Sequence, residues 1–149
     1  MKTIYIALLL SALTGTLKAD DLADAKTAFN LLREYQKTDD IRSVDLFSLD
    51  VSVTFILTDG TEYQTNDIPA ETFFHILREG IAQKKGNNET YKNVKFVKRD
   101  SVVVLDCMVV HADSKKAEPL HLEYAKSKDD GILRITKAVV TVPVEKLPE

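Results

Sequence analysis

Between residues 91 and 143 the chain runs through four strand-like segments whose connections are too short to cross a sheet. The segments are 91–99, 101–112, 120–126 and 132–143, linked by Asp100, by residues 113–119, and by residues 127–131 with their Asp129-Asp130-Gly131 turn. Parallel pairing needs a crossover of a dozen or more residues, so these four segments predict an antiparallel meander. The sequence shows no internal repeat, no low-complexity linker and no second domain.

Upstream of the meander the period is helical. Leu22, Ala25, Phe29, Leu32 and Tyr35/Gln36 recur at three- and four-residue steps, which predicts a helix over 20–36 with acids at its start. Residues 38–40 break it and offer N-caps for a short helical segment over 41–49, with Ile41, Val44 and either Phe47 or Leu49 inward. From Asp50 the period becomes two: Val51, Val53, Phe55 and Leu57 share one face of a strand that ends at Asp59-Gly60. A short return strand over 62–65 leads to Ile68-Pro69 and a third helix over 70–82, with Ala70, Phe73, Phe74, Leu77 and Ile81 as its apolar face.

The N-terminus reads as a leader. Lys2 gives a positive start, residues 4–13 are an apolar run of about ten, and Ala19 is the small residue before Asp20-Asp21. The run is shorter than the ~20 residues a spanning helix needs, so residues 1–19 are expected to be a signal peptide and residues 20–149 one exported domain, periplasmic or secreted. Loss of Lys2 and Lys18 leaves 18 cations against 23 acids, a net-acidic domain unsuited to nucleic acid. With a single cysteine, Cys107, neither an intrachain disulfide nor a lipid anchor at the cleavage point is possible. Cys107 lies in the apolar run 102–110 and is expected to fill the core.

The order of elements, and above all the run Asp50-Val51-Ser52-Val53-Thr54-Phe55-Ile56-Leu57-Thr58-Asp59-Gly60-Thr61 followed by a helix over 70–82, resembles the NTF2-like superfamily. That family includes SnoaL-like polyketide cyclases and ketosteroid isomerases. The resemblance covers residues 21–143 and implies an α+β roll, with N-terminal helices packed in a strongly curved antiparallel sheet and a pocket at the wide end of the cone. A cystatin-like fold is the nearest alternative, and the hairpin between two helical regions counts against it. Members of the resembling family range from enzymes to adaptors and orphan binding domains, so no activity follows from the fold.

Asp106 is the most suggestive chemical residue. Alternation puts it with Val102, Val104, Met108 and Val110, while Val103, Leu105, Cys107, Val109 and His111 share the other face. A carboxylate among apolar neighbours is how a general base near neutrality is made; the competing reading is an outward face where Asp106 is ion-paired. Asp106 as base and Tyr124 as hydrogen-bond donor would suit proton transfer of the ketosteroid-isomerase type. Tyr35, Phe55, Phe73 and His121 are candidates to line a ligand pocket, which needs ~300 Å³ or more. His111 and His121 fall in successive strands near Glu123, but no close-spaced ligand pair supports a metal.

No phosphate-binding, dinucleotide, nucleophile-elbow or zinc motif is present, and no cofactor or metal is implied. That silence ranks two readings above an enzyme. One is a binding domain for a small apolar ligand or a protein partner; the other is a homodimer through the apolar sheet face, including 102–110 and 138–142.

Overall fold

The computed structural model describes residues 20–149; the expected leader, residues 1–19, lies outside them. Helix α1 (Asp21–Lys37) begins where the Asp20 side chain accepts from the Leu22 amide, and buries Ala25, Phe29 and Leu32 along the expected stripe. Asp40 caps the next segment in the same way, but that segment is a 3-10 helix, Ile41–Leu46, tighter and shorter than expected. Ile41 is exposed and Ser43 takes the buried position.

Strand β1 (Phe47–Thr58) therefore starts earlier than its alternation suggested. Phe47 is opposite Ile135 and Ser52 opposite Lys137, so five steps along β1 match two along the neighbouring strand. This bulge turns Phe47 inward and leaves Leu49 88% exposed. A turn with Gly60 at φ +95° leads to β2 (Tyr63–Ile68), which extends three residues past the expected return strand. Pro69 then caps α2 (Ala70–Ala82), with Phe73 and Phe74 buried.

The meander forms as expected: β3 (Thr90–Arg99), β4 (Val102–Val110), β5 (Ala117–Lys126) and β6 (Leu133–Pro143), each antiparallel to the next. Strand β5 starts early enough to include Pro119, which the sequence places in a link. Pairing with β6 begins only at Leu120, so Pro119 has a strand on one side alone, where its missing N–H is tolerated. The sheet order is β2-β1-β6-β5-β4-β3 and the sheet is not closed. One junction within it, β1 against β6, is parallel. The 74 residues between these two strands exceed any crossover minimum, so the length that excludes parallel pairs inside the meander imposes no limit here.

Both helices pack on one face of this sheet. Phe29 of α1 meets Tyr91 and Phe96 edge-on, with centroids 5.3 and 6.0 Å apart. From α2, Phe73 meets Phe47 at 5.0 Å. Val103, Leu105, Cys107, Leu120, Leu122, Tyr124, Ile135 and Ala138 complete one continuous core. The result is an α+β roll with its helices held by a curved sheet.

Candidate functional site

The link between α2 and β3 is tied to the C-terminal end of α1. The Gly86 amide donates to Asp39 Oδ2 at 2.8 Å and the Asn87 amide to the Gln36 carbonyl at 3.2 Å. Gly86 has φ +62°, a conformation that favours glycine, and a Cβ there would stand 3.2 Å from the Lys37 carbonyl oxygen. Asn87 then grips Glu89 twice. Its side-chain oxygen accepts from the Glu89 amide at 2.8 Å, and its Nδ2 donates to Glu89 Oε2 at 3.0 Å.

The other half comes from the β4–β5 link. The His111 amide donates to the Lys116 carbonyl, and the Lys115 amide to the His111 carbonyl at 2.8 Å, so the backbone on both sides of the imidazole is held. The ring points to the helix side of the sheet, the face it shares with Cys107 and Val109. There His111 Nδ1 lies 2.9 Å from Glu89 Oε1. An ionised carboxylate only accepts, so Nδ1 carries a proton, and in the neutral form of the ring the lone pair is on Nε2. His111 Nε2 is buried and has no hydrogen-bond partner among the described residues. Beside the pair, Tyr91 Oη donates to Gln36 Oε1 at 3.1 Å, and burial pushes the Tyr91 hydroxyl well above its ordinary pKa.

Glu89, His111, Tyr91 and Gln36 sit at the polar end of a cavity of about 130 Å³ whose walls include Leu32, Phe47, Phe73, Leu122 and Ala138. Five residues (Gln36, Phe73, Leu77, Glu89 and His111) line both this cavity and an open groove of about 590 Å³ at the cone mouth. The enclosed part is smaller than the sequence reading required for a ligand pocket, because Leu32, Phe73 and Leu122 fill the cone from helices and sheet. A third groove, of about 1000 Å³, lies by the β1 bulge, and its Arg134 is already paired with Asp130 at 2.8 Å.

Of the residues named from the sequence as catalytic or pocket-lining candidates, Phe73 alone lines the cone cavity; His111, weighed there as a metal ligand, lines it too. Phe55 packs against the core from β1. The Tyr35 ring lies under the Arg42 guanidinium, 4.7 Å away. Tyr124 is fully buried, its hydroxyl without a partner among the described residues and its pKa driven up by burial.

Asp106 does not face the cone. Its side chain is 63% exposed on the outer face, opposite His121 in the β4–β5 register, while Tyr124 projects to the inner face. The two cannot act on one substrate, and the outward alternative weighed above describes Asp106. His121 is also on the outer face, its Nδ1 2.7 Å from Asp106 Oδ1 and its Nε2 3.0 Å from Glu123 Oε1. Burial alone would lower the His121 pKa, but the two carboxylates outweigh it and hold the imidazole above its ordinary value. His111 and His121 are thus on opposite sides of the sheet, which separates the ligands of the metal reading. Among the described residues no group of three or more His, Cys, Asp or Glu side chains could hold a metal ion.

The outer apolar positions are partly covered within one chain: Val104 is buried, and Val102, Met108 and Val139 are half-buried. No helix among the described residues is long and apolar enough to cross a membrane.

Comparison with known proteins supports the architecture. No family model matches the chain, and no curated protein matches it. Solved structures do. A protein of unknown function from the DUF3225 family of Pectobacterium atrosepticum superposes with TM-score 0.59 at 20% identity, covering 83% of this chain and 91% of its own. A Novosphingobium aromaticivorans protein described as NTF2-like with a cystatin-like fold gives TM-score 0.56 at 9% identity, covering 89% and 87%. In that neighbour the two fold names weighed from the sequence coincide. A ketosteroid isomerase-like protein of Parabacteroides distasonis gives 0.51 at 16% identity, covering 76% and 83%. The chain has the NTF2-like fold.

Proposed function

We propose that this chain is an exported NTF2-like domain that binds a small, mainly apolar ligand, with one end in the cone and the remainder in the mouth groove. The observation that carries the reading is the shared lining of cavity and groove: an apolar recess of about 130 Å³ that meets about 590 Å³ of open space at Phe73, Leu77 and His111. An apolar recess of this order holds a benzene-sized group, and the groove takes what projects from it. The ligand class is therefore narrower than a drug-sized molecule enclosed on all sides.

Methyl-resolved NMR titration with benzene tests the reading. The methyl groups of Leu32, Leu77 and Leu122 are expected to shift together and saturably. Unmoved cone methyls in the presence of both benzene and phenol would contradict it.

Export is part of the same reading and rests on the apolar run over 4–13 followed by Ala19. Mass spectrometry of the protein recovered outside the cytosol is expected to give a chain beginning at Asp20. A chain retained in the cytosol with Met1 or Lys2 at its start would contradict export.

A further inference from the structure

The geometry at the cone mouth points to a more specific ligand: we propose that His111 and Glu89 form a receptor for a neutral hydroxyl group, that of a phenol or an alcohol, which donates its proton in a hydrogen bond to His111 Nε2. The proposal rests on the cone-binding reading and names the chemistry of its polar end.

Four observations carry it. His111 Nε2 is buried and without a partner among the described residues, so in the neutral ring it is an acceptor that an incoming donor would satisfy. Its tautomer is set from behind by Glu89 Oε1 at 2.9 Å. Glu89 is itself fixed, since Asn87 holds both its amide and its second carboxylate oxygen. The neighbouring Tyr91 hydroxyl is already engaged with Gln36, so it does not compete for Nε2.

The surroundings decide between a hydroxyl and an anion. Glu89 already places a carboxylate against the ring, and the cavity that His111 lines is walled by Leu32, Val109, Leu120 and Leu122. A ligand carboxylate would bring a second negative charge into that apolar space, at a desolvation cost a neutral hydroxyl avoids. Lys85 lines only the outer groove. The aliphatic or aromatic body of the ligand then lies where the cone is apolar, and its hydroxyl stands at the mouth.

Benzene, phenol and benzoate test the proposal on the full mature domain, by NMR titration with the imidazole nitrogens observed directly. Phenol is expected to bind about tenfold more tightly than benzene, the usual worth of satisfying one buried acceptor. It should move the His111 Nε2 resonance, which benzene leaves in place. In His111→Leu, checked for native circular dichroism, the phenol-to-benzene ratio should fall to near one; the nitrogen shifts of the unmodified protein give the same answer if that variant does not fold. Equal affinity for phenol and benzene overturns the hydroxyl receptor and leaves cone binding intact. Benzoate binding more tightly than phenol overturns the choice of a neutral donor. Failure of both benzene and phenol to bind overturns the cone reading and this one with it.

Discussion

Glu89 and His111 stand 22 positions apart in the sequence, and their side chains meet at 2.9 Å across the mouth of the cone. Neither lies within a strand or helix. Glu89 ends the α2–β3 link and His111 begins the β4–β5 link, so the pair exists only because two loops are held against the same end of the roll.

Gly86 is the residue through which the α2–β3 link is clamped to α1. Replacing it with alanine asks a side chain to occupy φ +62° and to stand 3.2 Å from the Lys37 carbonyl. Gly86→Ala is expected to lower stability by about 1–2 kcal/mol in urea denaturation, the cost of a left-handed conformation for an ordinary residue. It should also perturb the His111 ring resonances through Asn87 and Glu89. An unchanged midpoint with unchanged His111 signals would show that the clamp does not position the pair.

His121 gives a pH dependence whose sign follows from its partners. Asp106 and Glu123 face its two nitrogens, with Lys137 3.7 Å from Glu123, and the folded pKa is raised above the ordinary 6.5. A raised pKa means the charged form is favoured in the folded state. Its stabilisation is therefore complete below about 6.5 and is lost as pH rises through the folded value. The stability difference between the native chain and His121→Gln is expected to shrink as pH rises from 6 to beyond the folded pKa. A difference that grows over that range would contradict the two-carboxylate clamp.

Tyr124 carries a hydroxyl that costs desolvation and gains no partner among the described residues. Tyr124→Phe keeps the ring and removes that group, so stability is expected to hold or to rise by up to about 1 kcal/mol. A loss of more than about 1 kcal/mol in thermal or urea unfolding would mean the hydroxyl is bonded in the native protein.

Cys107 is 5% exposed, and burial, helped by Asp106, pushes its thiol pKa up to about 11. Thiolate is the reactive form, so an aromatic disulfide reagent at pH 8 is expected to modify the native protein on the order of 100-fold more slowly than the urea-unfolded chain. Comparable rates would place the thiol at the surface.

The roll was legible in the sequence because its signals are local. The tight links between 91 and 143 dictate antiparallel neighbours, and the stripe through Ala25, Phe29 and Leu32 dictates which side of α1 is buried. What was not legible depends on tertiary placement. Alternation separated Asp106 from Cys107 correctly, but it does not say which face is inside, and the chemically attractive residue proved to be on the outer one. The same alternation already put His111 on Cys107's face, so a buried cysteine was a usable sign that this histidine points inward. Glu89 had no such sign: it sits in a link without periodicity, and only the Asn87 turn and the Gly86 clamp bring it to His111. The parallel β1–β6 junction and the β1 bulge were likewise invisible, since both come from register between distant strands.

In the proposed receptor the neutral His111 ring keeps its lone pair on Nε2 because Glu89 Oε1 holds the proton on Nδ1. Long-range proton–nitrogen NMR of the imidazole at alkaline pH measures this directly. The expected spectrum shows His111 protonated at Nδ1 and bare at Nε2, and in Glu89→Ala that preference is lost. A native spectrum with the proton on Nε2, or a tautomer unchanged by Glu89→Ala, would contradict the account.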